Sequence, residues 1–131
     1  NENIEKGHKG SGTILVMDDQ EIIRITTGKM FETLGYSVVF KEDGASAVEY
    51  FEKNRNIKGM IFDLTIPGGM GGLEAVSKIR DIDKEIPVFV SSGYADDPVM
   101  ADPQKYGFTE SITKPFTKAE LVRVLNGYMK G

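Results

Sequence analysis

The 131-residue chain has no cysteine, no tryptophan and a single histidine, His8. Without thiols there can be no disulfide, no thiolate nucleophile and no cysteine-ligated zinc. No apolar run approaches the roughly 20 residues that span a bilayer, and no N-terminal apolar stretch of the secretory kind is present. Membrane contact is therefore not expected, and a cytoplasmic setting is. Basic residues are also in short supply: 16 Lys and Arg face 20 Asp and Glu, a net charge of -4. Direct nucleic-acid binding, which needs a basic face, is not expected either. His8 falls in residues 1–12, "NENIEKGHKGSG", a polar, glycine-rich stretch that reads as a linker or cloning remnant. A lone imidazole in such a tail has nothing to hold it for catalysis or metal binding.

What remains is an ordinary globular composition, 40% hydrophobic and 27% charged, in a chain long enough for one domain with a real core. From Thr13 onward short apolar runs alternate with helical patterns. "TILVM" reads as a buried strand, and Ile23, Met30, Phe31 and Leu34 follow at helical spacing up to Gly35, a helix stop. "YSVVFK" is the second strand, and Ala47, Val48 and Phe51 mark a helix that starts near Gly44. "GMIFDL" is the third strand; after a glycine-rich loop, Leu73, Val76 and Ile79 predict the inner face of a third helix. Pro87 opens the strand "VFVSS", and Asp97-Pro98 predicts the cap and first residue of a short helix that Pro103 limits. "FTESITK" is the fifth strand, and Thr117 and Glu120 form a capping box before Leu121, Val122, Val124, Leu125 and Tyr128. Strand–helix alternation with short connections implies α/β architecture: a single doubly wound domain with a parallel sheet and helices on both faces.

In such sheets ligands bind where the C-terminal ends of the strands converge. Asp18 and Asp19 close the first strand, Asp63 the third, Ser92 the fourth and Lys114 the fifth. Each has an ordinary reading. The adjacent aspartates can simply open a turn and cap the next helix, Ser92 can form a turn, and Lys114 can be a solvated charge. Asp63 is harder to dismiss, because a carboxylate ending a buried strand is costly unless paired, hydrogen-bonded or metal-bound. Together the groups outline a magnesium and phosphoryl site, since magnesium favours a few carboxylates and retained waters and a carboxylate can form an acyl phosphate. The Lys114-Pro115 bond, if cis, would aim the ammonium inward.

The order of these motifs resembles the receiver domain of two-component response regulators: an acidic pair after the first strand, "DLTIP" after the third, Ser with Gly after the fourth, Lys-Pro after the fifth. The resemblance extends from Thr13 to about Met129, so residues 13–131 are expected to form a receiver domain, most similar to those of hybrid sensor histidine kinases. It implies a flavodoxin-like (βα)5 fold with strand order 2-1-3-4-5. It further implies that Asp63 accepts a phosphoryl group from the phosphohistidine of a histidine kinase or histidine phosphotransfer domain. Mg2+ would be bound by Asp19, Asp63 and the Thr65 carbonyl, with Asp18 reaching it through water, while Ser92 and Lys114 would hold the phosphoryl oxygens. Self-dephosphorylation would be slow, with Thr65 and Tyr94 flanking the path of the attacking water, and a phosphorylation-dependent dimer is a further implication. The chain departs from the pattern in two places. The loop "LTIPGGMGG" is one residue longer than usual, displacing Met70, and its glycines read as a flexible loop, since their spacing is not that of a phosphate-binding P-loop. Ser111 stands where many receivers carry an aromatic switch, which leaves Phe108, Tyr106 or Tyr94 for a related role.

Two other functions compete. An aspartate-nucleophile phosphatase also uses a strand-end Asp, a Lys and magnesium, but its second acidic residue would fall at Thr65. A flavodoxin-like mononucleotide binder fits the fold and has no use for the Asp18, Asp19, Asp63 and Lys114 set.

Overall fold

The computed structural model describes residues 8–129. Five strands, β1 (Thr13–Met17), β2 (Ser37–Lys41), β3 (Gly59–Asp63), β4 (Val88–Ser92) and β5 (Glu110–Thr113), form one sheet in the order β2-β1-β3-β4-β5. All neighbours pair in parallel. Between them run α1 (Glu21–Thr33), α2 (Gly44–Lys53), α3 (Gly72–Ile82), the short α4 (Pro98–Ala101) with a 3-10 turn at Pro103–Tyr106, and α5 (Lys118–Tyr128). Every residue of β3 and β4 is buried, whereas the edge strand β2 is largely open. This explains why "GMIF" and "VFV" are continuously apolar, as central parallel strands covered on both sides must be.

Alternation along the strands divides the core in two. Leu15, Met17, Met60, Phe62, Val88 and Val90 face one way and pack with Ala47, Phe51, Val76 and Ile79 of α2 and α3. Ile14, Val16, Ile61, Phe89 and Ile112 face the other and pack with Phe31 of α1 and Leu121, Val122 and Leu125 of α5. The local signals act as their chemistry requires. The Asp97 carboxylate accepts from the Val99 N–H with Pro98 behind it, and Thr117 and Glu120 close the capping box. Gly35 takes φ 105° just beyond α1, a left-handed conformation that glycine adopts without strain.

Several expectations require correction. Leu73 is 43% exposed, because the buried stripe of α3 runs through Ala75, Val76 and Ile79 instead. Tyr128 also lies mostly outside the core, its hydroxyl donating to Glu110. In α1 the buried positions are Thr27, Gly28 and Phe31, with Ile23 and Met30 only half-buried. His8 does not dangle: it is 4% exposed, its ring 5.7 Å from that of Tyr36. Its Nε2 lies 2.7 Å from the Tyr36 hydroxyl and its Nδ1 2.8 Å from Asn126 Oδ1. The glycine-rich loop is likewise fastened down. Met70 O accepts from the Gly44 N–H, and Leu64 O from the Gly72 N–H. A β-carbon at Gly71 would stand 2.5 Å from Leu64 O and one at Gly72 2.7 Å from Asp63 O; these glycines serve close backbone approach.

Candidate functional site

Sheet register brings the strand-end groups together. Met17 pairs with Phe62, Asp63 with Ser91 and Ser92 with Thr113, so the residues just past the ends of β1 and β5, Asp18 and Lys114, converge on the edge where Asp63 lies. Backbone bonds extend the ladder to that edge: Asp18 N–H donates to Lys41 O, Leu64 N–H to Ser91 O and Lys114 N–H to Ser92 O. The Lys114-Pro115 peptide is cis.

The Lys114 ammonium sits 2.7 Å from Asp18 Oδ2 and 3.4 Å from Asp63 Oδ1. Asp18 is held further by the Gln20 N–H on Oδ1 at 2.9 Å, and its backbone carbonyl accepts from the Arg24 guanidinium at 2.7 Å. Asp18, Asp19 and Asp63 each bring a carboxylate oxygen into one group whose members lie within 4.8 Å of one another. Asp18 and Asp63 are buried and Asp19 exposed. This oxygen-only, acid-rich set, open on one side, suits a hard cation such as Mg2+.

Burial pushes the Asp63 carboxyl up to about 6; the Lys114 charge opposes this, the Asp18 charge adds to it, and a hydrogen bond from the Thr65 backbone pulls it down. Lys114 alone thus leaves Asp63 short of compensation, which a second cation at the same oxygens would supply.

The site has a floor and a rim. Asp18, Asp63, Ser91, Thr27 and Lys114 surround the space beneath α1, while Asp19, Thr65, Ser92 and Tyr94 line the crevice that opens to solvent. Ser92 Oγ accepts from the Tyr94 N–H at 3.0 Å, which fixes its loop, and Tyr94 itself is 71% exposed. All six residues singled out from the sequence, Asp18, Asp19, Asp63, Thr65, Ser92 and Lys114, meet around one crevice. Ser111 sends its hydroxyl to Met100 O at 2.8 Å, tying β5 to α4. Of the aromatic candidates for a related role, Phe108 is buried in the core, Tyr106 half-buried and Tyr94 exposed. Sequence reading overlooked Arg24, Thr27 and Ser91. Arg24 and Thr27 look like ordinary helix residues, and Ser91 is masked by its neighbour Ser92; the available signal was a second hydroxyl directly after the apolar run "VFV".

A doubly wound sheet whose carboxyl edge gathers three aspartates and a lysine at one crevice defines an α/β domain built for charged-ligand chemistry at its switch edge. Residues 14–126 match the response regulator receiver domain, and the chain belongs to that family. It is 32% identical over 112 residues to a cyclic di-GMP phosphodiesterase of Thermotoga maritima, an alignment covering 86% of this chain and 29% of that protein. Against sporulation initiation phosphotransferase F of Bacillus subtilis it is 28% identical over 116 residues, 88% of this chain and 92% of the relative. The chain thus spans under a third of the first relative and nearly all of the second. Among solved structures, the receiver domain of a sensor histidine kinase from Pseudomonas aeruginosa superposes with a TM-score of 0.80 at 26% identity, covering 91% of this chain and 98% of that one; it holds a magnesium ion in its active-site cleft. The chain is accordingly a phosphoacceptor receiver domain of two-component signalling, similar to receivers found in sensor kinases.

Proposed function

We propose that Asp63 is the phosphoacceptor and that a histidine kinase or histidine phosphotransfer domain is the donor. The observation that carries this reading is the position of Asp63, buried at the end of the central strand, within reach of Lys114 and sharing an oxygen cluster with Asp18 and Asp19. An Asp63 carboxylate oxygen attacks the phosphorus of the donor's phosphohistidine. The new O–P bond forms as the P–N bond breaks, and the imidazole nitrogen leaves with the electron pair. Such transfers need positioning and charge stabilisation more than covalent assistance. Lys114 is placed to meet charge on the phosphoryl oxygens, and Ser92 donates its hydroxyl once its loop moves inward. Asp18, Asp19, Asp63 and the Thr65 carbonyl are the groups that would hold Mg2+. Magnesium, when bound, neutralises phosphoryl charge. The donor set of three clustered carboxylates fits it.

In this reading the domain is a signalling module whose own chemistry is limited to taking up the phosphoryl group and losing it slowly. Thr65 has neither charge nor amide to orient an attacking water, and Tyr94 lines the crevice mouth where its ring can shield the acyl phosphate. The test is incorporation of acid-labile phosphate from acetyl phosphate with Mg2+. Asp63→Asn is expected to keep the fold and incorporate none; stoichiometric phosphate on that variant overturns the assignment.

A further inference from the structure

Behind the carboxylates lies a small, partly open recess that the phosphoryl-transfer reading does not use. It is bounded by Val16, Ile61 and Phe116 and by the polar residues Asp18, Asp63, Thr27, Ser91 and Lys114. About 10 Å³ of it admits the centre of a water molecule, close to what one internal water needs. Ser91 is 3% exposed, and its Oγ is the one fully buried side-chain polar atom among the described residues that finds no hydrogen-bond partner in the protein. Ser91 pairs with Asp63 across the parallel β3–β4 ladder, so its side chain lies on the same face of the sheet, toward α1 and α5. Thr27 reaches the space from α1 and is itself buried. Lys114 has three N–H donors, and its contacts are Asp18 at 2.7 Å and Asp63 at 3.4 Å.

We propose that Ser91 and Thr27 hold one internal water against the rear of the Lys114 and Asp63 pair, making Ser91 a positioning residue for phosphoryl transfer. An orphaned buried hydroxyl is costly, and a polar void of one-water size with several polar walls is where a water is retained. Such a water accepts from the third ammonium N–H and donates to Ser91 Oγ or to a carboxylate. Lys114 is thereby restrained on the side away from its contacts with Asp18 and Asp63. Groups that act one shell behind the reacting centre typically change function by about tenfold or more when removed. The inference rests on Asp63 being the phosphoacceptor, but the water can be detected without that reaction.

The first measurement uses magnetisation transfer from water to methyl groups in the full chain without phosphodonor. Long-lived water is expected at the methyls of Thr27, Val16 and Ile61, and lost in Ser91→Ala; no such contact in the parent overturns the proposal. The second is phosphorylation by acetyl phosphate with Mg2+. Ser91→Ala is expected to lower the maximal rate about tenfold at an unchanged half-saturating concentration of donor. Thr27→Val is expected to act in the same direction and Thr27→Ser to restore the parent rate. A purely structural role would change melting temperature while leaving the rate per folded molecule at the parent value, and that result overturns the positioning role. If Asp63→Asn still takes up phosphate, the phosphoacceptor assignment fails instead, separately from the fate of the water.

Discussion

Two buried polar clusters occupy opposite ends of the sheet and are built differently. At the N-terminal edge His8, Tyr36 and Asn126 form a hydrogen-bonded group in which each ring nitrogen of the histidine has a partner at 2.7 or 2.8 Å. Asn126 Oδ1 can only accept, so Nδ1 donates to it, while the Tyr36 hydroxyl partners Nε2. Burial raises the Tyr36 pKa, which keeps that hydroxyl protonated. At the C-terminal edge Lys114 pairs with two buried carboxylates, Asp18 and Asp63, with Asp19 exposed beside them, and burial pushes the Asp63 pKa up to about 6. The histidine cluster has its ring nitrogens partnered and fastens residues 8–12 to the domain. The charged cluster is under-compensated, leaving it dependent on a further cation or a proton. Polar burial is therefore no sign of function by itself; incomplete charge compensation is the feature that separates the two.

The largest stability effect that sharpens this contrast is expected from Lys114→Met. Removing the Lys114 ammonium from the two buried carboxylates should cost about 3 kcal/mol in the metal-free protein, measured by chemical denaturation, and saturating Mg2+ should recover part of the loss. A variant as stable as the parent would mean that the carboxylates are compensated without Lys114. The pH dependence comes next. Asp63 has its pKa raised from 3.8 to about 6, so between those values the folded state binds more protons than the unfolded state. Its stabilising contribution is complete below 3.8 and is lost as the pH rises to about 6 and beyond. The metal-free parent should gain melting temperature on going from neutral pH to about pH 5 relative to Asp63→Asn, in which that gain disappears. Parallel curves for the two proteins would remove Asp63 as the source.

At the rim, Tyr94→Ala is expected to speed loss of the phosphoryl group several-fold, as does opening any hydrolytic site to water. Decay at the parent rate would show that the ring does not shield the acyl phosphate. The smallest effect is expected at the His8 end. Tyr36→Phe deprives His8 Nε2 of its donor and should cost roughly 1 kcal/mol, with phosphorylation by acetyl phosphate unchanged. A change in phosphorylation there would couple the two ends and break the comparison.

The strand ends were legible because central parallel strands are continuously apolar and stop on a polar residue, so Asp18, Asp63, Ser92 and Lys114 stood out against their own runs. Capping chemistry was equally readable at Asp97-Pro98 and at Thr117 and Glu120, where the signal is local. What escaped depended on distant partners. His8 reads as tail because Tyr36 and Asn126, which hold it, are 28 and 118 residues away. Leu73 was placed inward because a helix with a small residue at Ala75 can rotate its buried stripe by one position. The glycines from Gly68 to Gly72 suggested looseness, whereas two of them admit backbone carbonyls too close for any side chain. Ser91 was hidden beside Ser92, since period-two alternation sends adjacent serines to opposite faces and only the assembled sheet shows which faces hold a void.

The ion pair between Lys114 and Asp18 joins residues 96 positions apart, and this has a consequence for biosynthesis. A ribosome delivers Asp18 first, then Asp63 and only later Lys114, so a nascent chain carries its acidic half-site without that ammonium until β5 has emerged. β5 must dock at the far edge of the sheet before the ammonium arrives. Completion of the charged edge is thus a late step in assembly, waiting on the strand that closes the ladder.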